Sequence, residues 1–201
     1  MRRRALLPLL ALPVLPRAAA ALPPEARFNV VREGRRIGTH RVSFAEAGGL
    51  LTARTDVDIV VKLAGFTVFR LTHNFTETWA GDQLRAAASR QDRNGTVTEC
   101  AARAEGGALL VQGPAGSLRL PANAAPLNWW DPRRLEGRPL YDADSGKPLA
   151  VTLRRRAEPG GVTLWTSAGE DESQGHYAAD GTWLDWKTKG DDGSTVTYER
   201  A

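Results

Sequence analysis

Apolar and polar residues alternate with a period of two along most of this chain, and tight turns interrupt the alternation at short intervals. Leu50 to Leu63 carries Val57, Ile59, Val61 and Leu63 at every second position opposite Asp56, Asp58 and Lys62. That pattern describes a strand with one dry and one wet face. Phe66 to Trp79 repeats it over a longer run, with Phe69, Leu71, His73, Phe75, Glu77 and Trp79 on one face and Arg70, Thr72, Asn74, Thr76 and Thr78 on the other. Shorter runs at Arg27–Arg32 and Ile37–Phe44 precede these two, joined by Glu33-Gly34-Arg35 and by Ala47-Gly48-Gly49.

Turn signals continue at Arg93-Asn94-Gly95, Glu105-Gly106-Gly107 and Pro114-Ala115-Gly116. The pieces between them, Gln83–Arg90, Thr96–Arg103 and Ala108–Gln112, are alanine-rich and weakly apolar, which predicts outer or edge strands. The alternation resumes at Pro148–Arg155 and ends in a hairpin series, Gly161–Ser167, His176–Ala179, Thr182–Lys187 and Ser194–Arg200, punctuated by Asp180-Gly181 and Asp191-Asp192-Gly193. No amphipathic helix of three turns is found.

One stretch breaks the pattern. Pro121, Pro126 and Pro132 forbid a regular helix or an internal strand across Pro126-Leu127-Asn128-Trp129-Trp130-Asp131-Pro132. Pro132 suits the start of a single turn at Arg133-Arg134-Leu135-Glu136, with Asp131 as its cap. Two adjacent tryptophans carry more apolar surface than a loop keeps in water, so the segment is expected to pack across the open side of the sheet. The expected fold is all-β and mainly antiparallel: a single strongly curved sheet of roughly ten strands, forming a barrel or half-barrel, with an irregular Trp-rich loop covering its open side.

The first 21 residues fall outside this pattern. Arg2-Arg3-Arg4, an apolar run from Ala5 to Pro16 and Ala18-Ala19-Ala20-Ala21 have the layout of a cleavable export signal. Arg3-Arg4-Ala5-Leu6-Leu7 also admits a twin-arginine reading. The apolar run is shorter than the roughly 20 residues needed to span a bilayer, so no lasting anchor is expected. The division is therefore a signal over 1–21 and one β-barrel-like domain over 22–201, in a periplasmic or secreted protein. Removing Arg2, Arg3, Arg4 and Arg17 from the 27 basic residues leaves 23, against 23 acidic ones. A net charge near zero removes the argument for a nucleic-acid partner. Arg154-Arg155-Arg156 is the one basic run left, and a solvated strand end is preferred over a phosphate site. Cys100 is the only cysteine, which excludes an intramolecular disulfide and a cysteine metal cage; a buried, inert thiol is expected.

Candidate chemistry centres on the dry face of the long strand. His73 and Glu77 must each find a partner there or meet solvent. Four residues of strand separate them by roughly 13 Å, so they do not bond each other. No phosphate loop, dinucleotide fingerprint, nucleophile elbow or metalloprotease helix motif occurs, and the three histidines, His40, His73 and His176, lie in different strands. No cofactor, metal or catalytic set is assigned.

A resemblance adds to this. Phe28-Asn29-Val30-Val31 with Gly34 and Ile37-Gly38-Thr39-His40, the strand end Thr76-Glu77-Thr78-Trp79, Asn128-Trp129-Trp130-Asp131, and Leu140-Tyr141-Asp142 through Ser145-Gly146-Lys147 resemble a family of exported bacterial proteins known only as a domain of unknown function. Its strand pattern is similar to periplasmic half-barrels, lipoprotein carriers among them, and that similarity transfers no chemistry. Three functional classes follow. The preferred one is a non-catalytic binding module for a lipid or other apolar or amphipathic molecule, with His73, Phe75, Glu77, Trp79, Trp129, Trp130 and Asp131 at its site. The alternatives are an envelope scaffold docking through edge strands and an enzyme built from His73, Glu77 and Asp131.

Overall fold

In the computed structural model, which describes residues 22–190 and 192–201, the chain forms one antiparallel sheet of thirteen strands around a short internal segment. The expected export segment, residues 1–21, lies outside the described residues. The first eight strands form a meander: β1 (Ala26–Arg32), β2 (Arg35–Ala47), β3 (Leu50–Leu63), β4 (Phe66–Ala80), β5 (Gln83–Arg93), β6 (Thr96–Glu105), β7 (Ala108–Gly113) and β8 (Gly116–Pro121). The internal segment contributes β9 (Ala125–Pro126), β10 (Leu140–Tyr141) and β11 (Pro148–Leu149), which pair as a separate small sheet with β10 in the middle. The large sheet resumes with β12 (Val151–Ala157), β13 (Thr163–Gly169), β14 (Ser173–Tyr177), β15 (Trp183–Lys189) and β16 (Thr195–Arg200). β16 pairs with β1, from Phe28 opposite Arg200 to Arg32 opposite Val196, so the two halves of the chain join at its ends. β8 and β12 are the open edges.

The all-β, antiparallel, barrel-like expectation holds, with thirteen strands in place of roughly ten. β8, which ends at Pro121 ahead of the proline-bounded stretch, is a strand that the alternation pattern does not include. The placement of Gln83–Arg90, Thr96–Arg103 and Ala108–Gln112 on the outside is corrected: β5, β6 and β7 each have a strand on both sides. Their alanines are small for a different reason. Ladder pairing aligns Phe44, Ala53, Glu77, Ala87, Ala102 and Val111 across six strands in one inward-facing row. Ala53, Ala87 and Ala102 are buried there, and their short side chains leave the interior to large groups from the internal segment.

That segment fixes the curvature. The Trp129 carbonyl accepts a hydrogen bond from the Tyr177 hydroxyl on β14, while the neighbouring Trp130 ring packs against Trp79 on β4 at 6.5 Å between centroids. Six strand spacings lie between β14 and β4, about 29 Å in a flat sheet at 4.8 Å per strand. Two consecutive residues cannot bridge that span, so the sheet wraps around them. The Trp-rich stretch is thus a plug inside the concave face. Ala124, Ala125, Leu135 and Tyr141 are buried with it.

Pro132–Leu135 forms the single expected turn, of 3-10 type, with Glu136 just outside it. Asp131 stands at the cap position without capping. Its carboxylate turns to Arg133 at 2.7 Å and Arg134 at 3.5 Å, because a guanidinium offers a charged donor where the cap offers a neutral amide.

Gly38 shows where two strands approach most closely. A methyl group there would lie 2.0 Å from the Asp58 carbonyl oxygen and 2.8 Å from the Ile59 Cα. Gly38→Ala is therefore expected to lower stability by about 2 kcal/mol, within the usual cost of overpacking. Urea unfolding measures this, and an unchanged midpoint would contradict so tight a contact between β2 and β3.

Candidate functional site

Burial along β4 alternates as its sequence requires, and Phe75, Glu77 and Trp79 all face inward with almost no exposed surface. Glu77 is the one buried acidic residue among the described residues. Its Oε2 accepts hydrogen bonds from the Trp130 indole N–H and, at 2.9 Å, from the Asn128 side-chain amide. Its Oε1 has no partner. Burial pushes the Glu77 carboxyl up to about 7, against the pull of those two hydrogen bonds and of the Arg134 charge. Arg134 lies over the rings of Trp79 and Trp130 at 5.0 and 5.2 Å and donates to the Gly81 carbonyl at 2.8 Å, which closes this end of the barrel.

His73 finds its partners on β5 and on a later part of the internal segment. Its Nε2 lies 2.9 Å from Ser89 Oγ and 2.9 Å from Asp144 Oδ1, and the Ser89 hydroxyl donates to the same carboxylate at 2.7 Å. Gln91 donates to the other Asp144 oxygen. Burial raises the Asp144 carboxyl, and the bond and charge of His73 with the Ser89 hydroxyl more than offset it, leaving it below its ordinary value. A nucleophilic triad needs the serine proton aimed at the imidazole and the carboxylate on the other ring nitrogen. Here one nitrogen meets both, and the serine donates to the carboxylate. The trio holds the plug to β4 and β5.

His40 lies in the same row of the sheet as Val57, His73 and Gln91. It is buried among Phe28, Trp183 and Tyr198, with neither ring nitrogen bonded. Burial, with help from the charge of His73, pulls it down to about 3. Cys100 is buried and free, and burial, then Asp142 and Asp144, push its thiol up to about 11.

The seven residues proposed from sequence are therefore divided. Glu77, Trp79 and Trp130 meet in one packed layer, Trp129 turns to Trp186 and Tyr177 on the opposite wall, Asp131 is held in its own ion pairs, and His73 stacks on Phe75. Among the described residues, no hydrogen bond or ion pair joins any two of His73, Glu77 and Asp131. None of the seven lines the 860 Å³ cleft at the other end of the half-barrel.

That cleft lies between the β1–β2 turn, the β3–β4 hairpin and the β15–β16 turn. Ile37, Ile59, Val61, Phe69, Leu71 and Val196 form its apolar wall, with Gln91 and Tyr198 also lining it. Six basic residues, Arg32, Arg35, Arg36, Lys62, Arg93 and Lys189, line it against the acidic Glu33 and Asp192. Arg32 is paired with Asp192, Lys189 with Glu172, and Arg93 lies over the Phe69 ring at 5.3 Å. Arg35, Arg36 and Lys62 have no acidic partner among the described residues. Sequence reading missed the cleft, although the inward alternation of Ile59, Val61, Phe69 and Leu71 was visible; the signal it lacked was that the plug stops short of them.

Comparison with known proteins places the fold. The structure is similar to that of a β-barrel-like protein of the domain of unknown function DUF1849 from Brucella abortus, with a TM-score of 0.60 and 10% identity over 88% of this chain and 94% of that one. It is also similar to a DUF1089 family protein from Pseudomonas aeruginosa, with a TM-score of 0.46 and 11% identity over 88% of this chain and 96% of that one. None of the curated proteins matches the chain. A family described as a domain of unknown function, DUF6134, matches residues 28–201.

Two buried groups give stability opposite dependences on pH. Glu77, raised from 4.5 to about 7, favours folding fully below pH 4.5 and loses that advantage as pH rises to 7. The loss is about 3 kcal/mol by linkage. His40, lowered from 6.5 to about 3, leaves stability intact above pH 6.5 and erodes it as pH falls toward 3. Urea titrations of wild type, Glu77→Gln and His40→Met across pH 4–8 separate the two. Glu77→Gln is expected to remove the decline on the alkaline side, and His40→Met the decline on the acid side; parallel curves for all three proteins would refute both assignments. Trp130→Ala, which opens a cavity and strips a donor from Glu77, is expected to cost about 3–5 kcal/mol.

Proposed function

The chain belongs to the DUF6134 family of domains of unknown function, and from that premise we propose that it is an exported, non-catalytic binding module whose open end takes up an amphipathic molecule with an apolar chain and an anionic head. The cleft carries this reading. Its volume of 860 Å³ lies in the range of about 300–1,000 Å³ typical of small-molecule sites. Its wall is aliphatic and aromatic, and Arg35, Arg36 and Lys62 supply positive charge with no acidic partner among the described residues. An apolar chain laid against Ile59, Val61 and Phe69 leaves an acidic head at the level of those cations.

The plug has a separate part in this reading. It fills the other end of the half-barrel and contributes none of the residues that line the cleft, so packing and ligand uptake are divided between the two ends. The export assignment rests on the sequence layout of residues 1–21, and the periplasm or exterior is where such a ligand would be met.

Cis-parinaric acid, a fluorescent fatty acid, tests the reading directly. Saturable uptake with a rise in probe emission is expected, with a cationic amine of equal chain length competing poorly. Val61→Trp fills the cleft and is expected to abolish uptake in a folded protein. Arg35→Glu combined with Arg36→Glu is expected to weaken it by about tenfold, and by less at high salt. Absence of saturable uptake by wild type, or full uptake by Val61→Trp, would remove the cleft as the site.

A further inference from the structure

The β3–β4 hairpin outruns its neighbours. The β2–β3 ladder ends at Gly38 opposite Ile59, so Val60–Leu63 have no strand on that side. The β4–β5 ladder ends at Leu71 opposite Arg93, with one further tie from Asn94 to Arg70, so Phe66–Phe69 have none on the other. Four residues of strand correspond to a projection of about 13 Å beyond the body of the sheet.

The composition of this projection is unlike that of an ordinary turn. Leu63, Phe66 and Val68 are 69%, 77% and 54% exposed. Lys62 and Arg70 flank them one step back, and no acidic residue occurs between Ile59 and Thr72. Exposed apolar side chains gathered on one protrusion, rimmed by charge of a single sign, mark an interaction surface. Arg35 and Arg36, beside Glu33 on the adjoining turn, line the same cleft as Lys62.

We propose that the tip of this hairpin inserts into the surface of an anionic bilayer, so that the mouth of the cleft opens onto the lipid. The geometry matches that medium. Apolar residues at the tip reach the boundary of the acyl region, within the roughly 5–10 Å depth of interfacial insertion, and the cations behind them stand at the level of the phosphates. A protein partner would be expected to bring acidic residues to a pocket that receives the tip; a bilayer needs only its surface charge and its fluid interior. The inference rests on the amphipath-binding reading in one respect, since a ligand that enters through the mouth then comes from the bilayer without crossing water.

Flotation with vesicles tests it. The mature protein is expected to float with phosphatidylcholine vesicles containing phosphatidylglycerol and to remain behind with vesicles of phosphatidylcholine alone. The double variant Leu63→Ser, Phe66→Ser, at positions too exposed to disturb the fold, is expected to lose at least about tenfold in partition. A Phe66→Trp variant reads the position itself, against six native tryptophans measured as background: added vesicles are expected to shift its emission difference to the blue. Wild-type flotation equal on both vesicles, or undiminished in the double variant, would overturn the proposal. So would a concentration-dependent dimer that the double variant abolishes, which would assign the tip to a second copy. Parinaric acid uptake measured without vesicles keeps the two readings apart: uptake intact with no flotation leaves the cleft and removes the membrane contact, and the reverse result does the opposite.

Discussion

The fold depends on the hydrogen bonds between Glu77 and the plug. A sheet of thirteen strands whose edges do not pair has no covalent or ladder constraint that closes it, so its curvature must come from what it encloses. Trp130 and Asn128 both donate to one carboxylate oxygen on the wall, and that choice fixes the depth and the rotation of the plug. A hydrophobic contact alone tolerates sliding; a buried carboxyl with two directed donors does not. Once Trp130 is set, Trp129 reaches Tyr177 across the interior and Arg134 caps the rings from below. The same arrangement leaves Glu77 Oε1 unbonded and its proton affinity raised, which is the cost of using a carboxylate as the anchor.

Much of the wall was legible from period two. The dry faces of β3 and β4, the inward aim of Glu77 and the need of His73 and Glu77 for separate partners all follow from alternation and strand rise. The partners themselves were not legible. Asn128 lies 51 residues from Glu77 and Asp144 lies 55 residues from Ser89, and nothing in the local pattern at Asp144-Ser145-Gly146-Lys147 distinguishes a hydrogen-bonded anchor from a solvated turn. The alanines of β5 and β6 misled for a related reason: low hydrophobicity in a strand reads as exposure, whereas here it reflects large side chains arriving from elsewhere. The cleft escaped notice because an unfilled volume has no residue of its own.

The open edges are managed by charge and brevity. Arg154, Arg155 and Arg156 occupy β12, where Arg155 and Arg156 lie 3.5 and 2.7 Å from Glu136 and Glu158. Long charged side chains and their ion pairs on an edge strand obstruct the approach of another strand and so oppose sheet-to-sheet growth. β8, the other edge, is six residues long and ends in Pro121, which offers no amide for a new ladder. These features give the basic run and the proline a structural purpose that requires no ligand.

The pairing of β1 with β16 governs when this molecule exists as a folded object. Phe28 meets Arg200, and both strands lie in the interior of the sheet. The eight-strand meander that begins with β1 therefore keeps an unsatisfied inner edge until β16 has been delivered. Contacts of such long sequence separation carry a high closure entropy and fold slowly. Between the delivery of β1 and that of β16 the sheet is incomplete, and the event that completes it is the arrival of a strand about 170 residues further along the chain.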